Sequence, residues 1–143
     1  MPLSTKDLIR NIPNEPDARN ARYVHVKNAK TLAPASHIFT TITKIPGDFT
    51  RLHKVWVKDL NGVDVMTSQR VWVSCDCDRF QFTWEYALAK KGASSIRFSN
   101  GEPPVEKNPR LHAAGCKHVY RVLAHLANQK RRKPTPVKPT KVK

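Results

Sequence analysis

Residues 52–77 read LHKVWVKDLNGVDVMTSQRVWVSCDC, and this stretch decides the fold that the sequence predicts. Two segments rich in β-branched and aromatic residues, 52–60 and 63–74, flank the dipeptide Asn61-Gly62. Asn-Gly tolerates the positive φ angles of a tight type I′ turn, which is the commonest short connection of a β-hairpin. The pattern therefore predicts an antiparallel hairpin with a two-residue turn.

The residues best suited to bind a metal ion form two short pairs after this hairpin. Cys75 and Cys77 follow the second strand, where side chains two positions apart share a face and can reach one ion. Cys116 and His118 open a predicted helix, with Cys116 just before it and His118 in its first turn. Three thiolates and one imidazole are typical ligands of structural zinc, and thiolates argue against magnesium or calcium. The sequence predicts one structural zinc ion on these four residues.

Other interpretations of these residues stay open at this point. The cysteines could be ordinary buried side chains beside a surface histidine, and His112 could replace His118 as the fourth ligand. Cys116 with His118 could form a nucleophile and base, but metal binding already uses both residues. His125 lies two helical turns beyond His118, about 10 Å along the axis, which is too far to share the ion.

The arrangement of these pairs resembles the SWIM zinc-finger family. A C-x-C pair after a hairpin is separated by residues 78–115 from a C-x-H pair that opens a helix. The resemblance covers about residues 52–128 and implies a ββα unit with Cys75, Cys77, Cys116 and His118 as ligands. SWIM modules bind DNA or proteins. The family's insertion is often short, whereas here it holds a predicted helix and a proline-rich loop.

Segments of the insertion and the second ligand pair also resemble uncharacterised bacteriophage proteins that carry this motif. The resemblance lies in SNGEPP at 99–104, Asn108-Pro109 and CKH at 116–118. It implies a virion component, and small zinc modules with extended arms suit such particles.

The remaining patterns predict an α+β fold with a small antiparallel β-sheet, an inserted helix and extended termini. Alternation and β-branched residues predict strands at 22–27 and 37–45, with a loop between them, and a short strand at 96–98. Apolar periodicity predicts an inserted helix at 79–91 that ends at Gly92. The final helix is predicted from Lys117 to about Lys130.

Three segments are predicted from the composition along the chain. Residues 1–20 form an N-terminal arm, for which a loosely attached terminus and a docking segment are both open. Residues 21–129 form the zinc-binding domain. Residues 130–143 form a basic tail of alternating lysine and proline that is too polar to fold alone.

The net charge of +15 indicates an anionic partner. The tail concentrates this charge, and its predicted nucleic-acid-binding or partner-binding residues are Lys130, Arg131, Arg132, Lys133, Lys138, Lys141 and Lys143. A solvated tail that only maintains solubility is the alternative. Three tryptophans, Trp56, Trp72 and Trp84, could stack on bases, although their strand and helix positions favour core packing.

The sequence lacks the signals that mark several classes of protein. No apolar run approaches the roughly 20 residues that span a bilayer, and no secretory signal is visible. Motifs of zinc deaminases, zinc proteases, Walker-type nucleotide sites and α/β-hydrolases do not occur. We therefore expect no membrane contact, no small-molecule substrate and no enzyme activity.

Two functions remain as hypotheses from the sequence. The first is a zinc-stabilised structural or assembly protein of a virion, whose arms bind neighbouring subunits. The second is an intracellular nucleic-acid-binding accessory or regulatory protein that uses its basic tail.

Overall fold

A computed structural model describes residues 3–12, 19–33, 35–97, 101, 104, 108 and 110–132. It has an α+β fold in which three helices pack against a four-stranded antiparallel open sheet of order β1-β2-β3-β4. The strands are β1 (Val24–Ala33), β2 (Ser36–Thr43), β3 (Arg51–Asp59) and β4 (Val71–Cys75). The helices are α1 (Thr5–Asn11), α2 (Glu85–Lys90) and α3 (Lys117–Arg132), with a 3-10 turn at Ala21–Tyr23 and a π-helical turn at Phe80–Trp84. The predicted fold class and antiparallel sheet are confirmed.

One face of the sheet forms the core together with the helices. Val55 and Val57 on β3 are fully buried, as are Val71 and Val73 on β4. Each of these residues is followed by one on the opposite face, because successive side chains of a strand alternate. Buried side chains of α3 complete this core, and they are Val119, Val122 and Leu123. No helix in the described residues is long and apolar enough to cross a bilayer.

The first helix packs into the same core. Ser4 caps it, because its hydroxyl accepts a hydrogen bond from the backbone N–H of Asp7. Leu8 and Ile12 are completely buried against the core. The backbone N–H of Thr5 also donates to the carbonyl oxygen of Ser68 at 3.1 Å. Residues 3–12 thus contribute side chains to the fold, while the division into arm, domain and tail stays a prediction.

The connection between β3 and β4 differs from the predicted two-residue turn. The strands pair with Asp59 opposite Val71, so residues 60–70 form a longer loop. Gly62 has a positive φ of 75°, but Asn61 does not, and a type I′ turn needs both. The hairpin is confirmed and its predicted turn type is wrong.

The carboxylate of Asp59 organises this loop. It accepts hydrogen bonds from the backbone N–H groups of Asn61, Val63 and Asp64 at 3.0 Å and from the Ser68 hydroxyl at 2.7 Å. Desolvation raises the pKa of Asp59, but the bonds from Ser68 and the three N–H groups outweigh it. They lower the pKa of Asp59 to about 2. A buried carboxylate therefore replaces the expected turn.

Substitution Asp59→Asn should lower the free energy of unfolding at pH 7 by about 2–4 kcal/mol, because an amide cannot accept all four bonds. The folded-state pKa lies below the unfolded value of 3.8, so the carboxylate stabilises the fold above about pH 4. This contribution is lost as the pH falls towards 2. Urea unfolding at several pH values should show the gap between wild type and variant narrowing in that window. The control is Asp48→Asn, because Asp48 is exposed. Equal unfolding midpoints for the two variants would contradict this role of Asp59.

Other predicted elements hold with changed boundaries. The 22–27 strand extends to Ala33 as β1, so most of the loop predicted after it is strand. The helix predicted at 79–91 is present as the π-helical turn followed by α2, and Gly92 ends it with a φ of 74°. Residues 96 and 97 lie outside any strand, contrary to prediction, and residue 98 lies outside the described residues.

Only one of the three tryptophans packs in the core. Trp84 is 1% exposed and packs in the core, as predicted. Trp56 and Trp72 are half-buried on the face away from the helices, so the prediction of core packing is wrong for them. Val55 and Val57 take the core positions of β3, and Trp56 between them must point the other way.

Candidate metal centre

The structure brings the four predicted metal-binding residues together. Cys75 ends β4, Cys116 directly precedes α3, and His118 lies in its first turn. Cys77 lies two residues past the end of β4 rather than on the strand. All four side chains are buried, and one ligand atom from each lies within 4.8 Å of the others. They form a buried Cys3His cluster that could bind a single metal ion.

The distances in this cluster agree with a tetrahedral site. Nδ1 of His118 lies 3.8 Å from Sγ of Cys75 and 3.8 Å from Sγ of Cys116. Tetrahedral zinc with bonds of about 2.3 Å to sulfur and about 2.0 Å to nitrogen separates these atoms by roughly 3.5 Å. The side chains therefore need to move only slightly to bind one ion, and Nδ1 is the imidazole nitrogen that faces the thiols.

The other imidazole nitrogen is held by Thr43 on β2. Nε2 of His118 lies 3.2 Å from Oγ1 of Thr43, and both side chains are buried. When Nδ1 binds a metal, Nε2 carries the proton and donates to this hydroxyl oxygen. Thr43 thus fixes the orientation of the ring, a role that nothing in the sequence around residue 43 indicated.

Substitution Thr43→Val should weaken zinc binding by about 10- to 100-fold, because the imidazole loses the partner that orients it. Competition with a chromophoric chelator measures this affinity. Thr41→Val is a matched control, because Thr41 is also buried on β2 and its hydroxyl donates to the carbonyl oxygen of His53 instead. Similar zinc affinities for the two variants would show that the contact with His118 does not support the site.

The acid–base properties of the thiols also suit a divalent cation. Burial raises the pKa of Cys75 and the pKa of Cys116. Hydrogen bonds from Cys116 and Cys75 lower the pKa of Cys77. In the protein alone, burial therefore opposes ionisation of Cys75 and Cys116. A bound divalent cation would supply the charge that ionises all three thiols.

Backbone groups around the cluster partly offset this cost of burying negatively charged thiolates. The N–H of Phe80 donates to Sγ of Cys77 at 3.3 Å. Cys116 lies at the positive end of the 16-residue helix α3, which favours a thiolate there.

Gly115 allows close packing at the start of α3, since a Cβ atom on it would come within 3.1 Å of Val119 and 3.4 Å of Ile12.

The loop before Cys116 is fixed by the buried side chain of Asn108. Its Nδ2 donates to the carbonyl oxygens of Thr83 and His112, each at 3.0 Å, and its Oδ1 accepts from the N–H of His112 at 2.9 Å. Nδ2 of Asn11 donates to the carbonyl oxygen of Ala113 at 2.9 Å. The second ligand pair is therefore held in place by residues from α1 and the inserted segment.

A second histidine lies beside the cluster. The ring of His53 on β3 lies 4.4 Å from the ring of His118 between centroids, and its Nδ1 is buried with no hydrogen-bond partner among the described residues. Burial, and then the neighbouring His118, lower the pKa of His53. A cleft of about 240 Å³ opens next to it, with side chains of both charge signs, including Asp48, Arg51, Asp78, Arg79 and Lys117.

The other residues considered from the sequence lie elsewhere. His112 is not part of the cluster, and the ring of His125 packs edge-on against Phe39 with centroids 6.3 Å apart. Lys130, Arg131 and Arg132 fall in the last turn of α3, and their side chains are not among the described parts. Lys133, Lys138, Lys141 and Lys143 lie outside the described residues. The predicted role of the tail stays a prediction.

Comparison with known proteins identifies no relative of this chain. No protein-family model, no curated protein and no solved structure matches it.

Proposed function

We propose that this chain is a non-enzymatic structural or assembly protein that is stabilised by one zinc ion and binds neighbouring protein subunits, as in a bacteriophage particle. The observation that carries the proposal is the buried set of four protein ligands on Cys75, Cys77, Cys116 and His118. Four protein ligands fill a tetrahedral zinc site and leave no position for a catalytic water. Zinc in this position holds a fold rather than activating a substrate.

The placement of the ligands supports a structural role for the ion. One pair follows β4 and the other begins α3, so a bound ion ties the edge of the sheet to the longest described helix. The β3–β4 hairpin and α3, which residues 78–115 separate, support the ββα arrangement that the SWIM resemblance implies. In this proposal the SWIM-like unit includes residues 52–128, and the insertion between the ligand pairs carries contacts particular to this protein.

The assembly proposal is tested by measuring, through sedimentation, the size of the complexes that contain the chain in its native source. An antibody against the chain is applied to density-gradient fractions after nuclease treatment and a wash at about 1 M salt, where the Debye length is roughly 3 Å. We expect the chain in fast-sedimenting fractions, because contacts between packed subunits resist screening. Recovery of all the chain in the free-protein fraction would overturn the proposal.

A second candidate is a nucleic-acid-binding accessory protein that uses its basic tail, and the net charge of +15 favours it. If the seven basic residues of 130–143 each contact a phosphate, binding to duplex DNA would have a salt slope near −0.9 × 7, about −6. Deletion of 130–143 would then remove most of this binding. The same gradient distinguishes the two candidates, because nuclease and high salt release a protein held only by phosphates.

A further inference from the structure

The face of the sheet opposite the helices, called the outer face below, carries two tryptophans among basic side chains. Trp56 pairs with Ile38 across β2, and Lys58 pairs with Trp72 across β4. Lys30 on β1 pairs with Ile38 on its other side. Residues paired directly across antiparallel strands lie on the same face. These side chains therefore form one continuous surface across all four strands.

The charged side chains that the strands place on the outer face are basic. The charged residues that β1 to β4 place on it are Lys30, Lys54 and Lys58, and the segment after α2 adds Arg97. Asp76 borders this surface just past β4, where its carboxylate accepts the backbone N–H of Lys54 at 3.0 Å. A surface of this kind attracts polyanions, and it repels a second copy of this basic chain.

Each tryptophan ring has a cation against its face. Nζ of Lys58 lies 4.4 Å from the ring centroid of Trp72, and Cζ of Arg97 lies 4.3 Å from that of Trp56. Nε1 of Trp72 donates to the hydroxyl of Ser95 at 3.1 Å, which fixes that ring. Ser74, directly opposite Trp56 on this face, is completely buried, so neighbouring side chains lie over it.

We propose that the outer face binds single-stranded nucleic acid. Lys58 and Arg97 then leave the ring faces of Trp72 and Trp56 to bind phosphates, as Lys54 does, and bases stack on the two rings in their place. Aromatic side chains on a flat, basic surface are the usual platform for unpaired bases, because every base has a stacking face. Trp56 and Trp72 are diagonal neighbours on adjacent strands, which places them about 7–8 Å apart. Two successive nucleotides of an extended strand can span this distance. A duplex hides its base faces and cannot use the rings.

This inference goes beyond the proposed function, since zinc-stabilised assembly requires no nucleic acid. It also uses a surface separate from the tail that the sequence indicated. Zinc content and sedimentation in the native source test the assembly proposal, whereas oligonucleotide binding by the purified zinc-loaded chain tests the outer face. Either proposal can fail while the other holds.

The test is fluorescence anisotropy of a labelled oligodeoxythymidylate of about 12 nucleotides, a length within the usual range for one such platform. The full chain should bind it, and Trp72→Ala or Trp56→Ala should each weaken binding by about 5- to 150-fold. Phe82→Ala is the matched control, because Phe82 is 56% exposed on the helical turn that packs on the opposite side of the sheet. It should leave the affinity unchanged.

Charge is tested with the same probe over a range of salt concentrations. The double substitution Lys54→Gln and Lys58→Gln should reduce the slope of log affinity against log salt concentration. Its magnitude should fall by about 1.4, or 0.7 for each lost phosphate contact. Lys90→Gln with Lys91→Gln, an exposed pair at the end of α2, should leave the slope as it is. The Trp72→Ala effect should persist in a chain that lacks residues 133–143, whose charge is not needed for stacking.

Intrinsic fluorescence provides a second measurement that tolerates variants with imperfect folding. Saturation with oligonucleotide should quench the wild-type tryptophan emission, and Trp56→Phe and Trp72→Phe should each remove part of that quenching. Unchanged affinity in both alanine variants, or quenching that neither phenylalanine variant alters, would overturn the proposal. Polyglutamate is the competitor, at an equal concentration of charge. If it displaces the oligonucleotide and the tryptophan substitutions do not change the affinity, the face would bind an acidic protein instead.

Discussion

Removal of zinc by a strong chelator is expected to unfold the chain at neutral pH. Structural zinc binds with an apparent free energy of about 10–16 kcal/mol, whereas whole domains have net stabilities of about 5–15 kcal/mol. The ion would hold β4 to α3, and without it a cluster with three buried thiols must stay together by packing alone. Circular dichroism should show loss of helix and sheet signals on chelation and their recovery when zinc is restored.

Ligand substitutions provide the control for chelation. His118→Cys keeps four zinc ligands and should keep a chelator-sensitive fold, although it loses the contact with Thr43. Cys116→Ala removes a ligand and should leave a chain whose spectrum and unfolding midpoint do not respond to zinc. A wild-type chain that keeps its spectrum and its unfolding midpoint in chelator would show that the core, not the ion, maintains this fold.

Substitution Leu8→Ala should lower the free energy of unfolding by about 2–5 kcal/mol, the range for removal of a fully buried leucine side chain. Leu8 is completely buried in the core, on a helix that the sequence left open as an arm or a loose terminus. The helix that carries Leu8 contacts α3 and the β3–β4 loop, so the cavity would lie within the main core. Urea unfolding of the zinc-loaded protein measures the change.

The matched control for Leu8→Ala lies on the same helix. Lys6 is exposed, and Lys6→Ala should change the free energy of unfolding by no more than about 0.5 kcal/mol. If Leu8→Ala costs no more than Lys6→Ala, the N-terminal helix is an attached arm rather than part of the core. The packing described for α1 would then be wrong.

The metal cluster could be predicted because its signal is local. The cysteines and the histidine occur in two short pairs. The end of a strand brings together the side chains of one pair, and the start of a helix brings together those of the other. Thr43 and His53 could not be predicted, since their contacts with His118 join positions 75 and 65 residues apart in the chain. No residue near either position indicates such a contact.

Two errors in the predicted fold have physical explanations. Asn61-Gly62 has strong turn propensity, but the nearby Asp59 collects three backbone N–H groups and a hydroxyl, which stabilises a longer loop. In the segment Val55-Trp56-Val57, three consecutive apolar residues give no alternation from which to choose the core face. The register of β3 with β2 and β4 determines which of its residues face the core, and it places Trp56 on the outer face.

The most direct test of the central claim is the amount of zinc per chain, measured by elemental mass spectrometry on protein purified without added metal, together with a thiol titration. We predict one zinc per chain and three thiols that react only after denaturation or chelation. Protein with no zinc and three thiols that stay unreactive until denaturation would have a core of ordinary buried cysteines. That result would contradict the zinc-stabilised module.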